Sequence, residues 1–93
     1  MIVHLFSIHD ATAGIFMSPF VARSSIDALR QIRASRDDPT MKTTPVGQNP
    51  SDFALYEVGS FDDEQAAIYA CSPARIASVA DIWAEKPSGT VSP

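Results

Sequence analysis

The sequence predicts a small α+β domain: an antiparallel sheet of three to four strands, one helix packed on one face and a short C-terminal helix. Three observations carry this. An apolar, β-branched run opens the chain at Met1–His9. One amphipathic stretch with helical spacing lies at Ser25–Arg36. Two further apolar runs, Phe53–Phe61 and Ala66–Cys71, are separated by the polar turn Asp62-Asp63-Glu64-Gln65 and read as a hairpin. Ninety-three residues suit one domain, which is expected to occupy residues 1–84, with 85–93 as a flexible tail rich in Pro and Gly.

The first run alternates Ile2, His4, Phe6 and Ile8 with Val3, Leu5 and Ser7. Both sets are mostly apolar, as expected of a central strand. Asp10-Ala11-Thr12-Ala13-Gly14 is a turn in which Asp10 bonds nearby amides and Gly14 takes positive φ. Ile15–Met17 is expected as a short second strand that Pro19 ends or confines to an edge. Ser24 is the expected N-cap of the helix, with Asp27 three residues on. Ile26, Leu29 and Ile32 fall with Ala22 on one stripe, and Arg23, Asp27, Arg30 and Gln31 fall opposite.

Asp37–Ser51, with Pro39, Pro45, Pro50 and Gly47, is a long connection of the kind that is functional or mobile. Pro73 suits the first position of a helix, and Ile76, Val79, Ala80 and Trp83 recur at helical spacing. A short helix is therefore expected over Pro73–Ala84. The expected core is Phe6, Ile8, Phe20, Ile26, Leu29, Ile32, Phe53, Leu55, Val58, Phe61, Ile68 and Ile76.

Composition limits the function classes. The net charge is −4, which argues against coating nucleic acid or an anionic membrane through bulk charge. Residues 1–36 set four arginines against Asp10 and Asp27, giving +2. Residues 37–93 set Lys42, Arg75 and Lys86 against nine acids, giving −6. Arg23, Arg30, Arg33 and Arg36 are thus the candidate DNA-binding residues, set against the plainer reading of a solvated helix face. No aromatic side chains interleave with them.

Cys71, the single cysteine, excludes an internal disulfide and reads as a packed strand residue. His4 and His9 are five apart on a strand and face opposite sides, so no metal site is expected. No phosphate-binding loop, nucleophile constellation or other catalytic group emerges, and no cofactor is implied. No leader pattern and no membrane-spanning run are present, so no membrane partner is expected. A small sheet leaves an edge unpaired, which makes a homodimer or partner docking through that edge a candidate association.

Asn49-Pro50-Ser51-Asp52-Phe53-Ala54-Leu55-Tyr56-Glu57-Val58-Gly59-Ser60-Phe61-Asp62-Asp63 resembles the signature of the small nonstructural protein of gokushovirus-type microviruses, phages with single-stranded DNA genomes. Pro50, Asp52, Phe53, Leu55, Tyr56, Gly59, Phe61 and Asp62 match a recurrent pattern of that family. Phe6-Ser7-Ile8-His9-Asp10 matches its N-terminal opening. The family often has Thr-Gly in the hairpin turn, where this chain has Gln65-Ala66.

The resemblance implies a non-enzymatic, non-virion protein of the host bacterial cytoplasm that assists single-stranded DNA synthesis or packaging. Its partners would be phage or host replication and packaging proteins, with single-stranded DNA itself as the alternative. It supplies no catalytic residues. The matched motif reads as structural: Phe53, Leu55 and Phe61 fill one strand face, Gly59 relieves crowding or admits a bulge, and the acids make the turn.

Overall fold

The computed structural model describes residues 1–84; the tail expected at 85–93 lies outside the described residues. Strand β1 (Ile2–Asp10) is central, as its two apolar faces require. Strand β4 (Phe53–Asp62) pairs along one side of it. On the other side lie two short strands end to end, β2 (Ile15–Phe16) and β3 (Phe20–Ala22). Strand β5 (Ala67–Ser78) pairs with β4 and closes the order β2-β1-β4-β5. All pairings are antiparallel, and the five strands exceed the three to four expected.

Local chemistry sets the connections. The Asp10 carboxylate accepts the amides of Thr12 and Ala13 at 2.9 and 3.1 Å, and Gly14 takes φ +73°, so β1 turns into β2. Helix α1 (Ser25–Ser35) starts where Ser24 Oγ accepts the Asp27 amide at 3.2 Å. The Asp27 carboxylate in turn accepts the Arg23 amide at 3.1 Å. The long connection is a chain of short turns: a 3-10 turn at Pro39–Thr43, the short helix α2 (Pro45–Gln48) and a 3-10 turn at Pro50–Asp52, of which the first two are capped by side chains, Asp38 and Thr44. Thr44 Oγ1 caps α2 through the Gly47 amide at 3.1 Å. A Cβ at Gly47 would run into the Met41 carbonyl, so only glycine lets the two turns stack this closely.

The hairpin turn between β4 and β5 keeps a positive φ without glycine: Ala66 takes φ +56°. The helix expected from Pro73 begins only at Val79, as α3 (Val79–Ala84). Pro73–Ser78 instead continues β5, pairing Ala74, Arg75, Ala77 and Ser78 with β4. Proline is tolerated because Pro73 sits in an irregular stretch of an edge strand, between the pairs Gly59↔Ala70 and Glu57↔Ala74.

The core forms on one sheet face. Phe6, Ala22 and Leu55 meet Ala28 of α1 and Ile82 of α3, so two helices rather than one bring side chains to it. Ile8, Phe20, Leu29, Ile32, Ile76 and Trp83 pack around them. Ile26 is 64% exposed: the covered stripe of α1 runs through Ala28, Leu29 and Ile32. Ile68 is 71% exposed, because it pairs with Phe61 and so lies on the sheet face opposite the helices. Cys71, expected to be packed, is exposed on this strand.

Phe61 corrects a further expectation. The register on β1 passes from Leu5↔Gly59 to Phe6↔Glu57, so Val58 is an extra residue in β4. Beyond this bulge Phe61 pairs with Val3 and lies on the opposite face from Phe53 and Leu55. Val58 and Phe61 are half-buried, away from the helix-covered cluster.

Candidate functional site

The second sheet face is the most distinctive surface. The register assigns to it Val3, Leu5, Ser7 and His9 of β1, with Ala54, Tyr56, Gly59 and Phe61 opposite them on β4. Phe16 joins across from His9, Val21 across from Leu5, and Ile68, Ala70 and Arg75 across from β4. The helix-covered core cluster draws none of its residues from this face. The strand carboxylates fall elsewhere: Glu57 lies opposite Phe6, and Asp62 opposite Ile2. Among the described strand residues, this face therefore carries no acid, and Arg75 and His9 are its only basic side chains.

Three rings cluster at one end of it. His9 and Phe16 have centroids 4.5 Å apart, His9 and Tyr56 5.6 Å, and Phe16 and Tyr56 5.3 Å in an edge-on arrangement at 86°. Phe16 is 42% exposed, while His9 and Tyr56 are half-buried. The cluster exists because the Asp10–Gly14 turn brings β2 back in register and because Tyr56 precedes the bulge. Ser7, between the ring cluster and Leu5, is buried, with its hydroxyl donating to the Met17 carbonyl at 2.6 Å.

His4 lies on the helix side, its Nδ1 3.1 Å from Glu57 Oε2, so the two histidines do face opposite sides. Among the described residues, no three of His, Cys, Asp and Glu gather as metal ligands. At the hairpin tip, the N-terminal amine donates to Asp63 and Glu64 at 2.9 and 3.0 Å. These bonds hold its pKa above the ordinary range. The Asp62 carboxylate accepts the Glu64 amide at 3.0 Å.

The arginines are placed differently from one another. Arg23 precedes α1 and is exposed, as is Arg30. Arg33 is half-buried. Arg36 caps the helix end, donating to the Trp83 carbonyl at 2.8 Å with Asp37 3.5 Å away. Of the motif residues, Pro50 and Asp52 form the 3-10 turn that delivers Phe53 to β4, and the Asp52 carbonyl accepts the Ala11 amide at 3.0 Å. A cleft of about 240 Å³ beside this turn is lined by Asp10, Thr12, Pro45, Asn49, Asp52 and Phe53. It is smaller than the ~300–1,000 Å³ usual for small-molecule sites.

The ring cluster was not legible in the sequence. His9 and Tyr56 belong to separate motif segments, and Phe16 joins them only through the hairpin register.

The sequence model of the phage ORF5 protein family matches residues 3–82, most of the chain from β1 into α3. This chain belongs to the phage ORF5 protein family. No curated protein and no solved structure gives a significant match. The ORF5 match takes in all five strands but for Ile2, and with them both sheet faces, so the ring cluster and the bulged β4 fall inside the family region. No described helix of this ORF5 protein is long and apolar enough to cross a membrane.

Proposed function

We propose that this ORF5 protein is a non-enzymatic accessory factor of a gokushovirus-type microvirus. It acts in the host cytoplasm where the single-stranded genome is synthesised or packaged. In this reading it touches single-stranded DNA with the open sheet face, more than with the α1 arginines. The carrying observation is the His9–Phe16–Tyr56 ring cluster on a sheet face free of strand carboxylates. Every base has a π face, and stacking on an aromatic side chain is worth about 1–3 kcal/mol per base without sequence preference. Arg75, across from Tyr56, supplies a phosphate contact. So few cations predict a shallow salt dependence, close to one counterion per phosphate neutralised.

Fluorescence anisotropy with a labelled oligothymidine at ~50 mM salt tests this. Phe16→Ala and Tyr56→Ala are each expected to weaken binding about tenfold, from the lower part of the stacking range. Arg30→Ala is expected to change it little. No binding, or binding lost with Arg30 but kept in both ring variants, would overturn the reading.

A second reading has support of its own, from the outer edge of β5, which pairs with no strand among the described residues. The factor would then work through protein contacts, by strand addition to a replication or packaging protein. A pull-down with the phage replication initiator, coat and scaffold proteins and host replication proteins separates the two.

A further inference from the structure

The ring cluster runs across the sheet, with one residue on each successive strand. Phe16, His9 and Tyr56 belong to β2, β1 and β4 in the order of the sheet, and Arg75, in register with Tyr56, continues the line onto β5. The charges around the open face have the same direction. Along the strands the face ends in carboxylates. Asp10 closes β1 and Asp52 leads into β4 at one end. Asp62, Asp63 and Glu64 stand at the other, where three carboxylates set against the one amine of Met1 leave a charge of −2. The strands at the two side margins contain no acid. From Ala11 to Ala22, which includes β2 and β3, there is no charged residue, and Arg23 follows. In β5 the one charged residue is Arg75, which is exposed.

We propose that single-stranded DNA crosses this face at right angles to the strands, over the ring cluster and out past Arg75, in a site three nucleotides long. This path rests on the DNA-binding reading and adds to it where the strand runs and how much of it is held. A phosphate chain laid along β4 meets carboxylates at both ends. One laid across it ends at an uncharged margin on one side and at a guanidinium on the other. The width of the sheet sets the length of the site. In the order β2-β1-β4-β5 the outer strands are three intervals apart, about 14 Å at ~4.8 Å each. A stretched single strand advances roughly 7 Å per nucleotide, about twice the 3.4 Å of duplex DNA. Two steps therefore span the sheet, and three nucleotides cover it.

NMR of the isotope-labelled full chain with oligothymidines carrying a nitroxide at one end tests the path. The salt is set at about 0.1 M, where a Debye length of ~10 Å screens charges remote from the site. With the nitroxide on one end of a trinucleotide, the strongest broadening is expected at the amides of Ala70, Cys71 and Arg75. Moving it to the other end is expected to shift that maximum to Ile15–Met17. Affinity should rise up to three nucleotides, and beyond that only in proportion to the number of three-nucleotide registers an oligomer offers. Arg75→Gln is expected to weaken binding about threefold and to flatten the salt slope by ~0.7, the share of one phosphate contact. Asp63→Asn with Glu64→Gln is expected to change affinity less than twofold. Strongest broadening at the hairpin turn from either end label, or a gain of more than twofold from the Asp63→Asn, Glu64→Gln pair, overturns the crosswise path and leaves DNA binding standing. No shift change with any oligothymidine overturns both.

Discussion

The two halves of the β4–β5 hairpin are built from the same kinds of residue and end in opposite environments. At the helix end, Phe53 and Leu55 are buried, and Leu55 packs with Phe6, Ala28 and Ile82. At the turn end, Ile68 and Tyr69 stand in solvent. Hydrophobicity alone does not distinguish them; what does is whether a helix lies above. The helix end spends its apolar side chains on folding, whereas the turn end leaves them available to something outside the chain.

Substitutions can break this contrast. The largest effect is expected for Phe53→Ala, about 3–5 kcal/mol of destabilisation by urea unfolding, a large share of a total near 5–15 kcal/mol. Gly59→Ala comes next. Gly59 lies so close to β5 that a Cβ would collide with the Tyr69 carbonyl, and backbone must move to admit it. A loss of roughly 1–3 kcal/mol is expected, as for other overpacked sites. Ala66→Gly should raise stability by up to about 1 kcal/mol, since glycine removes the cost of the left-handed turn position. Ile68→Ala should fall within about 0.5 kcal/mol of the parent under dilute, monomeric conditions. A loss like that of Phe53→Ala would mean that the turn end belongs to the core after all.

The same contrast explains what was legible in the sequence. β1, the Asp10–Gly14 turn, the Ser24 cap and the turn end of the hairpin are written in local chemistry, and the sequence places them closely. Ile26 was misplaced because periodicity gives the direction of an apolar stripe but not which members a sheet will cover. β5 was cut short because Pro73 with Ile76, Val79 and Trp83 mimics a helix start; pairing with β4 overrides that pattern through Ser78. The ring cluster was hidden because it depends on three strands at once. The four arginines, conspicuous as a charge excess, are divided between an exposed pair, a half-buried residue and a helix cap.

The Val58 bulge has a consequence for how this chain tolerates changes in length. Val58 occupies space in β4 without a place in the β1 register, so the side chains beyond it are already in phase with β1 as though it were absent. Deleting Val58 would leave Gly59, Ser60 and Phe61 on the faces they now occupy. Deleting Ser60 would force the rest of the strand either to turn over or to lose its partners. Strand length and strand phase are therefore separable at Val58 and locked together at Ser60, and a paired set of single-residue deletions would read the difference directly.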